Sequence, residues 1–253
     1  MILTVDIGNS NIVIGIFEND SLKVVFRLST DLKATFNDYL LKISAFLEQK
    51  SIKSSDIKDC IISSVVPPLH DVMDDTFYNL IKKSPIFLNQ NLKFGISISK
   101  YKNNLGFDRI ADTVGALQKY TPALAVFDFG TATTLSVIDE NREFIGGMIM
   151  PGVGLSLNAL SENAANLPKI SIEKPLEFLG TDTISSMQSG FSYGFAAMLD
   201  GVIDKLYEKV SPDIKVIVTG GYSRFVTPYS VHKLNIEENL LLEGIYQIYL
   251  QNF

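Results

Sequence analysis

The sequence is short of the residues on which many catalytic sites are built. Cys60 is the single cysteine in 253 residues and sits beside an apolar run, which excludes a disulfide framework and a thiolate metal site. Histidine occurs twice, at His70 and His232, too far apart in sequence to suggest a histidine-based zinc site. Without a G-x-S-x-G, a Ser-His-Asp triad lacks its usual setting. Neither the P-loop G-x-x-x-x-G-K-[ST] nor the dinucleotide G-x-G-x-x-G is present. No apolar run is long enough to span a bilayer, and no basic start leads into a signal-peptide core. These absences point to a cytoplasmic protein without a membrane partner. A net charge of −6, with no basic cluster interleaved with aromatics, argues against a nucleic-acid partner. What is present is a chain 46% hydrophobic and 20% charged, long enough for one large or two medium domains.

The richest stretch is Asp6-Ile7-Gly8-Asn9-Ser10-Asn11, between the apolar runs Met1–Val5 and Ile12–Phe17. The runs read as strands and the polar residues as a tight hairpin, with Gly8 and Asn9 free to take positive φ. A carboxylate at a strand end, followed by bare N–H groups, can hold a metal ion and polyphosphate oxygens together. Gly-Asn hairpins are common, however, and one alone is a weak signal. The layout recurs about half a chain later in Ala125-Val126-Phe127-Asp128-Phe129-Gly130-Thr131-Ala132-Thr133-Thr134, with Leu135–Ile138 returning. Such a repeat suggests two halves of like topology, each presenting an acidic turn to one cleft.

Around these turns the periodicity predicts an α/β chain. Strands are expected at Leu22–Ser29, Asp59–Val66, Pro85–Leu88, Phe144–Met150 and Lys215–Val218. Helices are expected at Thr35–Gln49, His70–Lys82, Arg109–Lys119, Leu155–Leu160, Ser185–Lys209 and Glu237–Leu250. Ser63 and Ser64 either face the cleft or bond locally at a strand end, and local bonding is the plainer reading. Asp108 has two readings as well, a helix N-cap or a carboxylate aimed at a bound alcohol with Arg109 beside it as an anion clamp. Gly190, Gly194, Ala197 and Gly201 share one helix face, suited to close helix packing within a subunit or in a homodimer. Gly220-Gly221 reads as a plain turn or as room for a flat group such as an adenine.

Taken in order, Asp6-Ile7-Gly8-Asn9-Ser10, Gly106-Phe107-Asp108-Arg109, Asp128-Phe129-Gly130-Thr131-Ala132-Thr133 and Gly220-Gly221 resemble the motifs of type III pantothenate kinases. Ser63-Ser64-Val65-Val66-Pro67 and Met150-Pro151-Gly152 are similar too, so the resemblance spans nearly the whole chain. It implies two duplicated ribonuclease-H-like α/β domains of the actin-like ATPase superfold, divided as 1–113 and 114–253. It also implies ATP-dependent phosphorylation of pantothenate at the start of coenzyme A synthesis, in a homodimer. Carried over by residue, Asp6, Ile7, Gly8, Asn9, Ser10, Asn11, Ile12, Val13 and Thr131 would bind ATP, with Asp6 also serving Mg²⁺. Asp108 would accept the proton. Tyr101, Gly106, Phe107, Asp108, Arg109 and Thr183 would contact pantothenate, and Asp128 would hold K⁺ or NH₄⁺. Two departures stand out. The stretch from Tyr101 to Gly106 is short for the family, and Phe107 replaces a residue that is usually small. The resemblance leaves two rivals: a non-catalytic accessory factor for transcription, and a kinase of the same superfold for another alcohol.

Overall fold

Alternating burial along Ile2–Ile7 (β1), Asn11–Glu18 (β2) and Ser21–Ser29 (β3) produces an antiparallel meander in the computed structural model, which describes residues 1–102 and 105–253. Helix α1 (Phe36–Gln49) starts at Thr35, whose hydroxyl accepts from the Asp38 N–H while the Asp38 carboxylate takes the Thr35 N–H, a reciprocal cap. Strand β4 (Asp59–Ser64) then adds parallel to β1, α2 (His70–Ile81) follows, and the short β5 (Ile86–Phe87) completes the order β3-β2-β1-β4-β5. The expected strand Asp59–Val66 stops at Ser64 because Pro67 opens a 3₁₀ turn. One face of this sheet, with Leu3, Val5, Ile7, Cys60 and Ile62, packs on Tyr39, Ile43, Met73 and Phe77 of α1 and α2.

Helix α3 (Phe107–Lys119) leads to a second meander: β6 (Leu124–Phe129), β7 (Ala132–Ile138) and β8 (Phe144–Pro151). Helices α4 (Val153–Asn163) and α5 (Thr183–Lys209) come next, then β9 (Lys215–Thr219) parallel to β6, the single turn α6 (Ser223–Val226) and β10 (Asn235–Ile236). The sheet order β8-β7-β6-β9-β10 repeats the first one strand for strand. Here too the odd-numbered residues of the leading strand, Ala125, Phe127 and Phe129, face the helices, meeting Leu157, Phe191 and Leu199. In both sheets the acidic residue therefore points to the opposite face. The fold is two duplicated α/β halves.

The last helix, α7 (Leu240–Asn252), packs on the first sheet. One compact unit comprises Met1–Gly95, α3 as far as Gln118 and Leu240–Phe253; the other comprises Ile96–Lys102 and Lys119–Asn239. The first unit thus takes in a terminal segment that the sequence reading gave to the second domain. The reason is local: Phe17 and Tyr246 stack with ring centroids 4.1 Å apart, and α7 crosses α3 at two glycines. A Cβ on Gly244 would lie 1.8 Å from the Ala111 carbonyl oxygen, so only glycine allows that crossing.

Two tyrosines tie α7 down. Tyr249 donates to Asp59 Oδ2 at 2.8 Å, where Lys83 also pairs, and Tyr246 donates to Asp20 Oδ1 at 2.8 Å. Burial, and then the hydrogen bond to the carboxylate, push both phenols up to about 12. A raised phenol contributes stability that is complete below its ordinary value of 10 and is lost as pH rises through about 12. Tyr249→Phe is expected to cost about 1–2 kcal/mol at neutral pH by removing a donor from a buried carboxylate. It should also flatten the alkaline loss of stability, read by urea unfolding at neutral and high pH.

Candidate active site

The first acidic turn is built so that its carbonyl oxygens are occupied. Gly8 N–H donates to the Asn11 carbonyl at 2.9 Å, and Val65 N–H to the Ile7 carbonyl at 3.0 Å. Thr30 supplies its N–H to Ser10 O at 3.1 Å and its hydroxyl to Gly8 O at 2.6 Å. The surface left at Asn9, Ser10 and Asn11, all exposed, is rich in N–H groups, the polarity that suits phosphate. Neither Gly8 nor Asn9 takes positive φ, contrary to expectation. The Gly8–Asn11 stretch is long enough to reverse the chain without a left-handed residue.

Ile12 and Val13 lie on β2 beside the turn, Ile12 fully buried and Val13 in register with Asp6. Across the parallel ladder Asp6 faces Ser63. The two serines singled out from sequence have different fates. Ser64 Oγ accepts from Val66 N–H at 3.1 Å and meets His70 Nε2 at 3.0 Å, whereas Ser63 Oγ is buried without a hydrogen-bond partner among the described residues.

Asp108 is the second residue of α3 and not its N-cap, because the helix already begins at Phe107 and the Ile110 N–H reaches the Gly106 carbonyl at 3.1 Å. Its Oδ1 accepts from Arg109 N–H at 2.8 Å and folds back over Gly106, where a Cβ would come within 2.3 Å of it. A side chain at position 106 would displace the carboxylate from this place. The Phe107 ring lies against Phe94, with centroids 6.0 Å apart, and Arg109 is buried. The short Tyr101–Gly106 connection includes Asn103 and Asn104, which lie outside the described residues.

In the second unit Asp128 is half-buried near the end of β6, with Thr131 exposed in the turn that follows. This turn is held by close backbone approach. A Cβ on Gly152 would lie 2.1 Å from Thr131 O, and one on Gly220 would lie 2.3 Å from Asp128 Oδ1 and 2.5 Å from the Phe129 backbone. Gly220 also takes φ +93°, and Tyr222 N–H donates to Phe129 O at 3.1 Å. Of the two readings of Gly220-Gly221, a plain turn or room for a flat group, the close approach of the Asp128 turn accounts for Gly220 as a turn residue. Tyr101 is half-buried with its ring edge-on to Phe144, centroids 5.3 Å apart. The segment carrying it is anchored by Lys100, which pairs with Glu143 at 2.7 Å. That pairing raises the ammonium and, with Ser99, lowers the carboxyl from their usual values.

Thr183 is the first residue of α5, whose N-cap is Asp182, with Ser185 completing a reciprocal cap. It lies on the rim of a cavity of about 800 Å³ that has Thr181 and Ser186 at one side and Met187, Phe191 and Phe195 as apolar wall. Gly190 and Gly194 line it, and a Cβ at either of them, or at Gly201, would meet nothing within 4 Å. The small-residue face is therefore open within this chain. Apolar walls with a few polar groups at one side suit a small organic ligand.

No group of three His, Cys, Asp or Glu side chains gathers among the described residues. One carboxylate at each turn fits a cation whose remaining ligands are phosphate, carbonyl or water oxygens, which is how Mg²⁺ is commonly held.

A family model of type III pantothenate kinases matches residues 2–205. The type III pantothenate kinase of Finegoldia magna is 38% identical over 250 residues, covering 97% of this chain and 95% of that one. The chain belongs to the type III pantothenate kinase family. Among solved structures, a Campylobacter jejuni protein described as a conserved Baf family transcriptional activator aligns with TM-score 0.60 and 22% identity over 98% of this chain and 97% of that chain. An inorganic polyphosphate/ATP-glucomannokinase from Arthrobacter sp. strain KM aligns with TM-score 0.51 and 14% identity over 99% of each chain. At such identities these two establish the fold, that of actin-like ATPases and sugar kinases, and nothing more.

Within this family frame, Thr30, Gly152 and the cavity wall around Phe191 are what sequence reasoning missed. Thr30 gives no local signal, since it is recruited from the end of β3. Gly152 was visible in the Met150-Pro151-Gly152 motif, but its partner, the Thr131 carbonyl, was not. The two kinds of glycine predict opposite outcomes. Gly220→Ala should lower stability by about 1–3 kcal/mol through overpacking, with left-handed strain added. Gly190→Ala, in an exposed stretch of helix, should raise it by about 0.5–1 kcal/mol. Denaturant midpoints of the two variants check both signs.

Proposed function

We propose that the chain transfers the γ-phosphoryl group of ATP to the primary hydroxyl of pantothenate, giving 4′-phosphopantothenate for coenzyme A synthesis. The observation that carries this reading is family membership over nearly the full length together with an intact Asp6, Asp108 and Asp128 set. A binding-only descendant has no reason to keep all three carboxylates.

In this mechanism the N–H groups of the Gly8–Asn11 turn bind phosphate oxygens, and Thr131 contributes a further ATP contact. Asp108 orients the pantothenate hydroxyl and takes its proton as the oxygen bonds to the γ-phosphorus and the bond to the β-phosphate oxygen breaks, releasing ADP. Transfer of this kind is loose, so the protein's work is positioning and charge stabilisation. Asp6 would hold Mg²⁺, which would supply positive charge against the polyphosphate. Asp128 would hold K⁺ or NH₄⁺, which would supply a further positive charge. Arg109 clamps the substrate's anionic end, Gly106 and Phe107 shape its loop, Tyr101 adds a contact, and Thr183 binds it at the rim of the α5 cavity. That cavity, with its apolar wall and hydroxyl rim, supports an acceptor carrying both methyl and amide groups.

Pure protein with ATP, Mg²⁺, K⁺ and a panel of alcohols tests the reading. ADP release should depend on pantothenate, and Asp108→Asn should lower kcat about 10²–10⁴-fold with an unchanged melting temperature. Turnover with a different alcohol alone, or with none, contradicts it, the second outcome favouring a partner-binding role. Replacing K⁺ by Na⁺ should suppress activity; unchanged rates contradict the assignment of Asp128.

We also infer a homodimer that uses the open glycine face of α5. Gly194→Leu should shift light-scattering mass toward the monomer, and an unaffected dimer rules that face out.

A further inference from the structure

Two hydroxyl groups share a sheet face with Asp6 and have no hydrogen-bond partner among the described residues. Thr4 lies two positions earlier on β1, and Ser63 lies directly across the β1·β4 ladder. Both residues are fully buried. A buried hydroxyl left unbonded costs about 1–3 kcal/mol, and such groups are rare enough that each needs a reason. Folding does not provide one, because alanine at position 63 would fill nearly the same space on β4 without that cost. Ser64, the next residue, shows what a structural hydroxyl looks like here: its oxygen is engaged by both Val66 N–H and His70.

The duplicated half supplies an independent observation. Asp128 has Thr219 at the same place on its parallel neighbour β9 that Ser63 holds beside Asp6, and Thr219 is buried as well. Both halves thus set a hydroxyl residue beside the acidic one at equivalent register. A water needs two to four polar partners to be held in place; the Asp6 carboxylate and the Ser63 hydroxyl supply two, and Mg²⁺ characteristically keeps several of its waters.

We propose that Ser63 is a positioning residue of the phosphate site, its hydroxyl accepting a hydrogen bond from a water in the shell of the divalent cation served by Asp6. The inference rests on the ATP reading above. Ser63 acts on the metal's water, so its loss changes metal affinity before it changes anything else. The stability consequence runs the other way: removing an unbonded buried hydroxyl leaves the fold as stable or more so.

The test uses Mn²⁺ as the probe, with the full chain and a slowly hydrolysed ATP analogue at saturation, free Mn²⁺ being counted by electron paramagnetic resonance. Ser63→Ala should weaken Mn²⁺ binding about tenfold, the size typical of losing a group that orients a metal ligand. Its melting temperature should be equal to or above that of the wild type, and Ser63→Thr, which copies Thr219, should bind Mn²⁺ like the wild type. Mn²⁺ affinity of Ser63→Ala within about twofold of wild type overturns the proposal, as does weaker binding accompanied by a lower melting temperature. Equal weakening in Ser63→Thr and Ser63→Ala overturns it as well. A wild type that binds no Mn²⁺ with the analogue overturns this assignment and the ATP reading together. One that binds it without phosphorylating pantothenate overturns the pantothenate reading alone.

Discussion

The structure depends on the way a carboxylate is set at the end of a central strand with the carbonyls of the following turn bonded away. In the first half, Gly8, Thr30 and Val65 engage the oxygens of Ile7, Gly8, Ser10 and Asn11. In the second, Tyr222 takes the Phe129 oxygen, while Gly152 and Gly220 let two other backbones press against the turn. In the first half the arrangement removes acceptors and leaves donors beside the acidic side chain, which is the chemistry a metal-bound polyphosphate requires. The burial pattern of the strands serves the same end. Apolar residues at odd positions hold the helices on one face, so the even-numbered aspartates fall on the other without disturbing the core.

The two halves reach the same sheet order by different stabilising means. In the first unit the face carrying Asp6 is covered by α7, recruited from the far end of the chain through Phe17–Tyr246 stacking, the Tyr249–Asp59 bond and the glycine crossing with α3. In the second, the long α5 packs one side on Phe127 and Val218 and leaves its glycines open toward a cavity. Small residues therefore do opposite jobs in one molecule. Gly220, Gly152 and Gly244 admit a neighbouring backbone, whereas Gly190 and Gly194 leave open space beside α5. Their substitutions separate these roles by sign as well as by size.

Much of this was legible before any coordinates. Strands with clear alternation, both acidic turns and their repetition, and the helices with regular apolar spacing follow from local pattern, because local pattern is what decides them. The features that stayed hidden are set by tertiary partners. Thr30 and Gly152 act on turns distant in sequence, and the side taken by α7 is chosen by its aromatic and glycine contacts. The start of α3 at Phe107 depends on how Asp108 folds over Gly106, which moved Asp108 out of the capping position its type suggested. The cap at Asp182 was readable in principle from Asp182 and Ser185, three positions apart, but the more familiar Thr183 drew the reading. Strand β10, only two residues long, carries no periodicity to detect.

A crystal structure of the full chain with Mg²⁺ and a slowly hydrolysed ATP analogue tests the central claim most directly. The account predicts phosphate oxygens on the N–H groups of Asn9, Ser10 and Asn11, with the metal and its waters beside Asp6. An analogue whose phosphates rest elsewhere, with that turn contacting only solvent, would contradict it.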